Sequence, residues 1–161
     1  MIRAAFENVR NQIGACGIWC GSCAVGNGSL RLASQHYFEL LESHGIKTWA
    51  PPELDYEALA TGLSTVSDMA ACPGCRQDGG RSSCEMKACT VQRGLSDCSE
   101  CDETDCPQSE PLEHMRSGAV KAGLFVKMPP GDPASLIEDW TKQLATQFPS
   151  LLLFLPDPDG S

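Results

Sequence analysis

The chain has few of the residues from which active sites are usually built. Histidine occurs three times in 161 residues, at His36, His44 and His114. No Ser/His/Asp signature, phosphate-cradling glycine loop or dinucleotide fingerprint is present. Nucleophilic and nucleotide-dependent catalysis therefore have no carrier, and the histidines read as surface residues. Long apolar runs are missing too. The longest, "LLLFL" at Leu151 to Leu155, is far too short to span a bilayer. The opening "MIRAAFENVRNQIGA" is charged throughout and has no apolar signal-peptide core. A soluble, cytoplasmic protein with no membrane partner is expected. There is no internal repeat, no low-complexity segment and no convincing strand alternation.

Basic residues are scarce where cysteines are dense. The net charge is −9. Asp97, Glu100, Asp102, Glu103, Asp105, Glu110 and Glu113 follow one another without an intervening Lys or Arg. Cysteine-rich modules that bind nucleic acid carry a basic face, whereas this segment would repel a phosphate backbone. Nucleic acid is excluded as a partner. The acidic stretch reads as a solvated loop, with docking to an unknown basic protein as the other reading.

What the chain does have is ten cysteines: Cys16, Cys20, Cys23, Cys72, Cys75, Cys84, Cys89, Cys98, Cys101 and Cys106. In a reducing compartment such a framework binds metal more often than it forms disulfides. Three pairs are spaced C-x2-C: Cys20–Cys23, Cys72–Cys75 and Cys98–Cys101. That spacing lets both sulfurs reach one ion while the intervening amides point at them. Zinc takes four thiolates in a tetrahedron at about 2.3 Å. The combination "CPGC"…"CSEC" suggests Cys72, Cys75, Cys98 and Cys101 at one site. Cys16, Cys20 and Cys23 would then be completed by Cys84, Cys89 or Cys106.

Iron–sulfur clusters are the alternative, since they too use four cysteines, and Cys106–Pro107 has a ferredoxin-like ending. The C-x3-C-x2-C spacing of "CGIWCGSC" is shared with radical-SAM enzymes, but a chain of this length without βα repeats cannot supply their barrel. Thiol–disulfide exchange lacks its βαβ context. Ten ligands do not divide into fours, so a small enzyme with an open zinc site is a second alternative.

Helical spacing recurs in four places. One stripe is Leu30, Ala33, Tyr37, Leu40 and Leu41. A second helix follows Pro51–Pro52, with Leu54, Ala58 and Leu59 before Gly62. A third follows Pro111, with Leu112, Met115, Ala119, Ala122 and Val126. In the fourth, Asp132 caps, Pro133 opens, and Leu136, Ile137, Trp140, Leu144 and Phe148 form a buried stripe. "CEMKACTVQRG" predicts one more short helix ended by Gly94, and "PDPDGS" a frayed tail.

The cysteine pattern as a whole resembles domain-of-unknown-function family 3795 of bacteria and archaea. The residues that carry the likeness are "CGIWCGSC", "CPGCRQDGG" and "CEMKACTVQRGLSDCSECDETDC", in that order. Cys84, Glu85, Met86, Cys89, Gly94, Leu95, Cys98 and Cys101 fit its most specific run. The likeness extends over roughly Ala15 to Leu112; residues 113–161 would add C-terminal helices and a disordered tail. It implies zinc binding without a reaction. The fold expected is a single α+β, mainly helical, metal-stabilised domain with an irregular cysteine-rich lobe and short hairpins. It would bind about two zinc ions and act as a structural or interaction module, the alternative being an iron–sulfur protein that carries electrons or assists an enzyme.

Overall fold

In the computed structural model, which describes residues 2–147, the first cysteine stretch is folded around its own tryptophan. Trp19 is fully buried. Its indole N–H donates to the Arg10 carbonyl at 2.5 Å. Its ring packs on Phe125 and Trp140, with centroids 6.1 and 5.9 Å away, and those two rings stack at 5.8 Å. Ile13, Ile137 and Leu144 complete this core. Such rings bury about 150–250 Å² each and gain further from tilted packing. Three aromatics therefore do much of the work of a lean apolar composition.

Helix α1 (Ile2–Arg10) supplies the Arg10 carbonyl and buries Phe6 and Val9. It was not expected, because "IRAAFENVR" reads as charged; Phe6, Val9 and the following Ile13 are nonetheless three and four apart, on one face. Helices α2 (Ser29–Ser43), α3 (Ile46–Trp49) and α4 (Tyr56–Ser67) form an arm between the first cysteines and "CPGC". Asp55 caps α4 by accepting from the Ala58 amide at 2.9 Å, and Arg31 of α2 donates to the Ser67 carbonyl at 3.1 Å. The helix expected after Pro51–Pro52 is present, but it starts at Tyr56 and runs through Gly62. On α2 the expected stripe mostly faces outward. Leu30, Ala33, Tyr37 and Leu40 are exposed, and Ser34 and Leu41 are the buried positions.

Helix α5 (Glu85–Arg93) ends as expected at Gly94, which has φ +67°; the Leu95 amide then bonds back to the Thr90 carbonyl at 2.9 Å, as in a left-handed helix stop. Helix α6 (Ser109–Lys121) begins before Pro111 and stops short of the expected Val126. Gly123, at φ +78°, breaks it, and the chain continues extended through Phe125 to Lys127. Helix α7 (Pro133–Gln147) matches its expected start, with Asp132 accepting from the Ala134 amide at 3.1 Å. Ile137, Trp140 and Leu144 are buried. Phe148 and the "PDPDGS" tail lie outside the described residues.

The expected hairpins are not seen among the described residues. Among the described residues extended pairing is limited to two isolated antiparallel bridges, Ile13 with Trp19 and Ile18 with Val126. Gly17 at φ +90° reverses the chain between the two partners of the first bridge. A Cβ there would lie 2.4 Å from the Lys127 carbonyl oxygen, so the close approach of these segments requires glycine. The protein is mainly helical, and no described helix is long and apolar enough to cross a membrane.

Candidate functional site

All ten cysteines are free and half-buried. The turns that carry them are tied to distant parts of the chain. Asn8 and Gln12 both donate to the Pro73 carbonyl, at 3.0 and 2.9 Å, so "CPGC" is seated on the end of α1. Gly74 sits at φ +91°, backbone that favours glycine, and a Cβ there would come within 2.1 Å of the Gln12 amide oxygen. Arg76 donates to the Ile13 carbonyl at 2.8 Å and also to the Ser96 carbonyl. The Cys98 amide bonds to the Ala15 carbonyl at 2.8 Å.

Nine of the ten thiols fall into two neighbourhoods. In the first, Cys20 accepts a hydrogen bond from the Cys75 amide and has Cys75, Cys23 and Cys16 as electrostatic neighbours. Cys16 in turn feels Cys75 and Cys84. Burial is the main reason that the Cys20 thiol is pushed up to about 11, and it raises Cys16 as well. In the second neighbourhood, Cys89, Cys98, Cys101 and Cys106 line one cavity of about 130 Å³, whose wall also includes apolar residues such as Met86 and Leu112 and polar ones such as Glu103 and Gln108. Burial pushes the Cys98 thiol up to about 11, against the pull of Arg116 and with Cys16, Cys89 and Cys106 adding to the rise. Spacing pairs Cys72 and Cys75 with Cys98 and Cys101; in the fold Cys75 is an electrostatic neighbour of Cys16 and Cys20, and Cys98 and Cys101 line a cavity with Cys89 and Cys106.

Cations surround the second neighbourhood. Arg93 Nη1 lies 3.7 Å from Cys101 Sγ, while its other terminal nitrogen meets Glu103 at 3.0 Å. Arg116 Nε donates to the Cys16 carbonyl at 2.8 Å, and its Nη2 is buried without a hydrogen-bond partner. Lys127 is fully buried behind the "DCSEC" turn, 2.7 Å from Asp97 and 3.5 Å from Glu100. Burial alone would raise the Asp97 carboxyl; hydrogen bonds from Lys127 and Ser99 outweigh it and hold Asp97 below the ordinary carboxylate range. The Lys127 amide also bonds to the Gly17 carbonyl at 2.8 Å. Arg93, Arg116 and Lys127 were not singled out from sequence. For Lys127 the one available signal was a lysine set inside the apolar run "LFVKM". All three histidines are exposed.

The donor set suits a thiophilic cation in kind and number: soft sulfurs, half-buried, with cations beside them to offset thiolate charge. Their positions are not those of a closed coordination sphere. Among the described residues no group of three or more His, Cys, Asp or Glu side chains is arranged to hold a metal ion.

The fold and this thiol assembly define a mainly helical, cysteine-rich domain. Residues 12–111 match the family model described as "Protein of unknown function (DUF3795)", and the chain belongs to that family. No curated protein and no solved structure matches it.

Proposed function

We propose that the protein is a metal–thiolate module whose cysteines bind about two zinc ions and whose loaded lobe serves as a structural or interaction element for a protein partner. The observation that carries this reading is that all ten thiols are free and half-buried and nine of them gather in two neighbourhoods. Thiols at such density in a domain with a small aromatic core are a poor substitute for apolar packing, and a divalent ion joining four of them supplies the missing stabilisation. In zinc peptides that contribution is roughly 10–16 kcal/mol apparent. Each ion bound by four thiolates releases their protons, so affinity rises with pH.

The test is metal analysis and absorption of protein purified without oxygen. Zinc gives a colourless protein, because its d shell is filled. Iron with acid-labile sulfide and a broad band near ~400 nm would replace zinc by a cluster. One observation favours that second reading: a cavity of about 130 Å³ among four cysteines has room for more than a single ion. Metal-free protein that takes up neither zinc nor iron would overturn both.

A further inference from the structure

We propose that Cys20 and Cys75 form an oxidative modification site, a thiol pair that hydrogen peroxide closes into a reversible disulfide between the loop of residues 12–23 and the "CPGC" turn. The pair stands apart from the metal reading, because it needs two adjacent thiols and no ion. The Cys20 sulfur accepts a hydrogen bond from the Cys75 amide, and that nitrogen is three covalent bonds from the sulfur of Cys75. Disulfides require such proximity, with Cα atoms no more than about 7 Å apart. Cys75 also turns its side chain toward the loop: a Cβ added at Gly14 would lie 3.5 Å from both the Cβ and the Sγ of Cys75. Gln12 holds both partners in place. Its carbonyl accepts from the Cys20 amide at 2.9 Å, and its side chain donates to the Pro73 carbonyl at 2.9 Å. Asn8 adds a second bond to that carbonyl at 3.0 Å.

C-x2-C spacing would favour other pairs. Cys72 is the local partner of Cys75, but its sulfur lies against Gly79, where an added Cβ would come within 2.9 Å of it. Cys23 is the local partner of Cys20, yet among the thiols that Cys20 feels, Cys75 acts more strongly than Cys23 or Cys16. Cys16 has Cys75 as a neighbour too, but its sulfur takes its amide hydrogen bonds from Ile18 and its own backbone.

Oxidation proceeds in two balanced steps. One sulfur, as thiolate, attacks peroxide; the O–O bond breaks, a sulfenic acid forms, and the departing hydroxide leaves as water with the thiol's proton. The second thiol then displaces the sulfenic hydroxyl as another water, and the S–S bond forms. The sulfurs give up two electrons to the peroxide, and a small thiol such as glutathione returns them by exchange. The closed disulfide encloses the α2–α4 arm and removes two thiols from the first neighbourhood.

Full-length protein, as purified and reduced, is treated with equimolar hydrogen peroxide. The remaining thiols are alkylated, and cross-linked peptides are mapped by mass spectrometry. The expected first product is an intramolecular Cys20–Cys75 cross-link, with the loss of two alkylatable thiols and full recovery of both on reduction. A first product of Cys16–Cys75, Cys20–Cys23 or Cys72–Cys75 overturns the pair. So does a disulfide-linked dimer, over-oxidised cysteine without a cross-link, or full alkylation of both residues. Zinc and iron are counted before oxidation, so a failure of the metal reading is scored separately. Because the mapping uses the unmutated chain, it does not depend on a variant that folds.

Discussion

The α2–α4 arm and the loop of residues 12–23 invert the usual relation between regularity and burial. The arm is almost entirely helical, yet α4 buries no residue and α2 only Ser34 and Leu41. Tyr37 is 49% exposed and Trp49 65%. The loop has no regular element beyond the 3₁₀ turn Cys20–Ser22, yet it holds Trp19 at 0% exposure and Ile13 at 4%. Helices satisfy their own peptide groups and can stand in water. The loop must find partners elsewhere, and does so: Trp19 N–H on Phe125, and the Gly17, Ala15 and Cys16 carbonyls on Lys127, Cys98 and Arg116. Those bonds fix Cys16, Cys20 and Cys23 in space, so the positioning of these three thiols depends on the loop and not on the arm's helices.

The sharpest way to break this comparison is Trp19→Ala. It should cost about 3–5 kcal/mol, a large part of the roughly 5–15 kcal/mol that holds a domain together, measured by denaturant unfolding of reduced protein. A cost below about 1 kcal/mol would place the core elsewhere. Next comes Lys127→Met, which leaves Asp97 buried without its cation. A loss of about 3 kcal/mol is expected, with partial recovery in the Lys127→Met/Asp97→Asn double variant; equal losses in both would assign the effect to packing alone.

Alkaline pH should act on the same region. Burial raises Cys20 and Cys98 to about 11, whereas unfolded thiols ionise near ~8.5. The folded state thus keeps protons that the unfolded state gives up. Metal-free protein should be stable below that value and lose stability progressively as pH rises from about 9 through 11, tracked by circular dichroism. Stability unchanged to that limit would mean the thiols are in contact with water. In the arm, Asp55→Ala removes only a cap and should cost about 1 kcal/mol, seen as faster amide exchange in α4. Tyr37→Ser, on the exposed face of α2, should lie within about 0.5 kcal/mol of the parent.

The same division governs what could be read from sequence. Helix α7 was legible because Asp132 and Pro133 mark its start and its apolar residues keep one period; α5 was legible because Gly94 marks its end. The period of α2 was read correctly, but hydrophobic spacing cannot say which neighbour will arrive, and the side that became buried includes a serine. All ten cysteines stood out, but spacing alone did not show which of them would lie together. C-x2-C describes a local loop, and the partner of each loop is decided by distant bonds such as Asn8 to Pro73 and Cys98 to Ala15. Lys127 was out of reach for a similar reason. Lysine is almost never fully buried unless paired, and its partners Asp97 and Glu100 look like ordinary members of an acidic loop.

Arg116 grips the Cys16 carbonyl from 100 residues away, and the Phe125 amide meets the Ser22 hydroxyl across 103. During synthesis these partners reach the first cysteines late. At about 5–20 residues per second, "CGIWCGSC" exists for roughly 5–20 s before the segment that encloses it has been made. Throughout that interval three nascent thiols stand unshielded, open to any oxidant or stray copper ion in reach. The yield of correctly assembled protein is therefore set partly by elongation speed and by the reducing capacity around the ribosome. Slowing translation between residues 23 and 116 is a way to poison this fold without changing one amino acid.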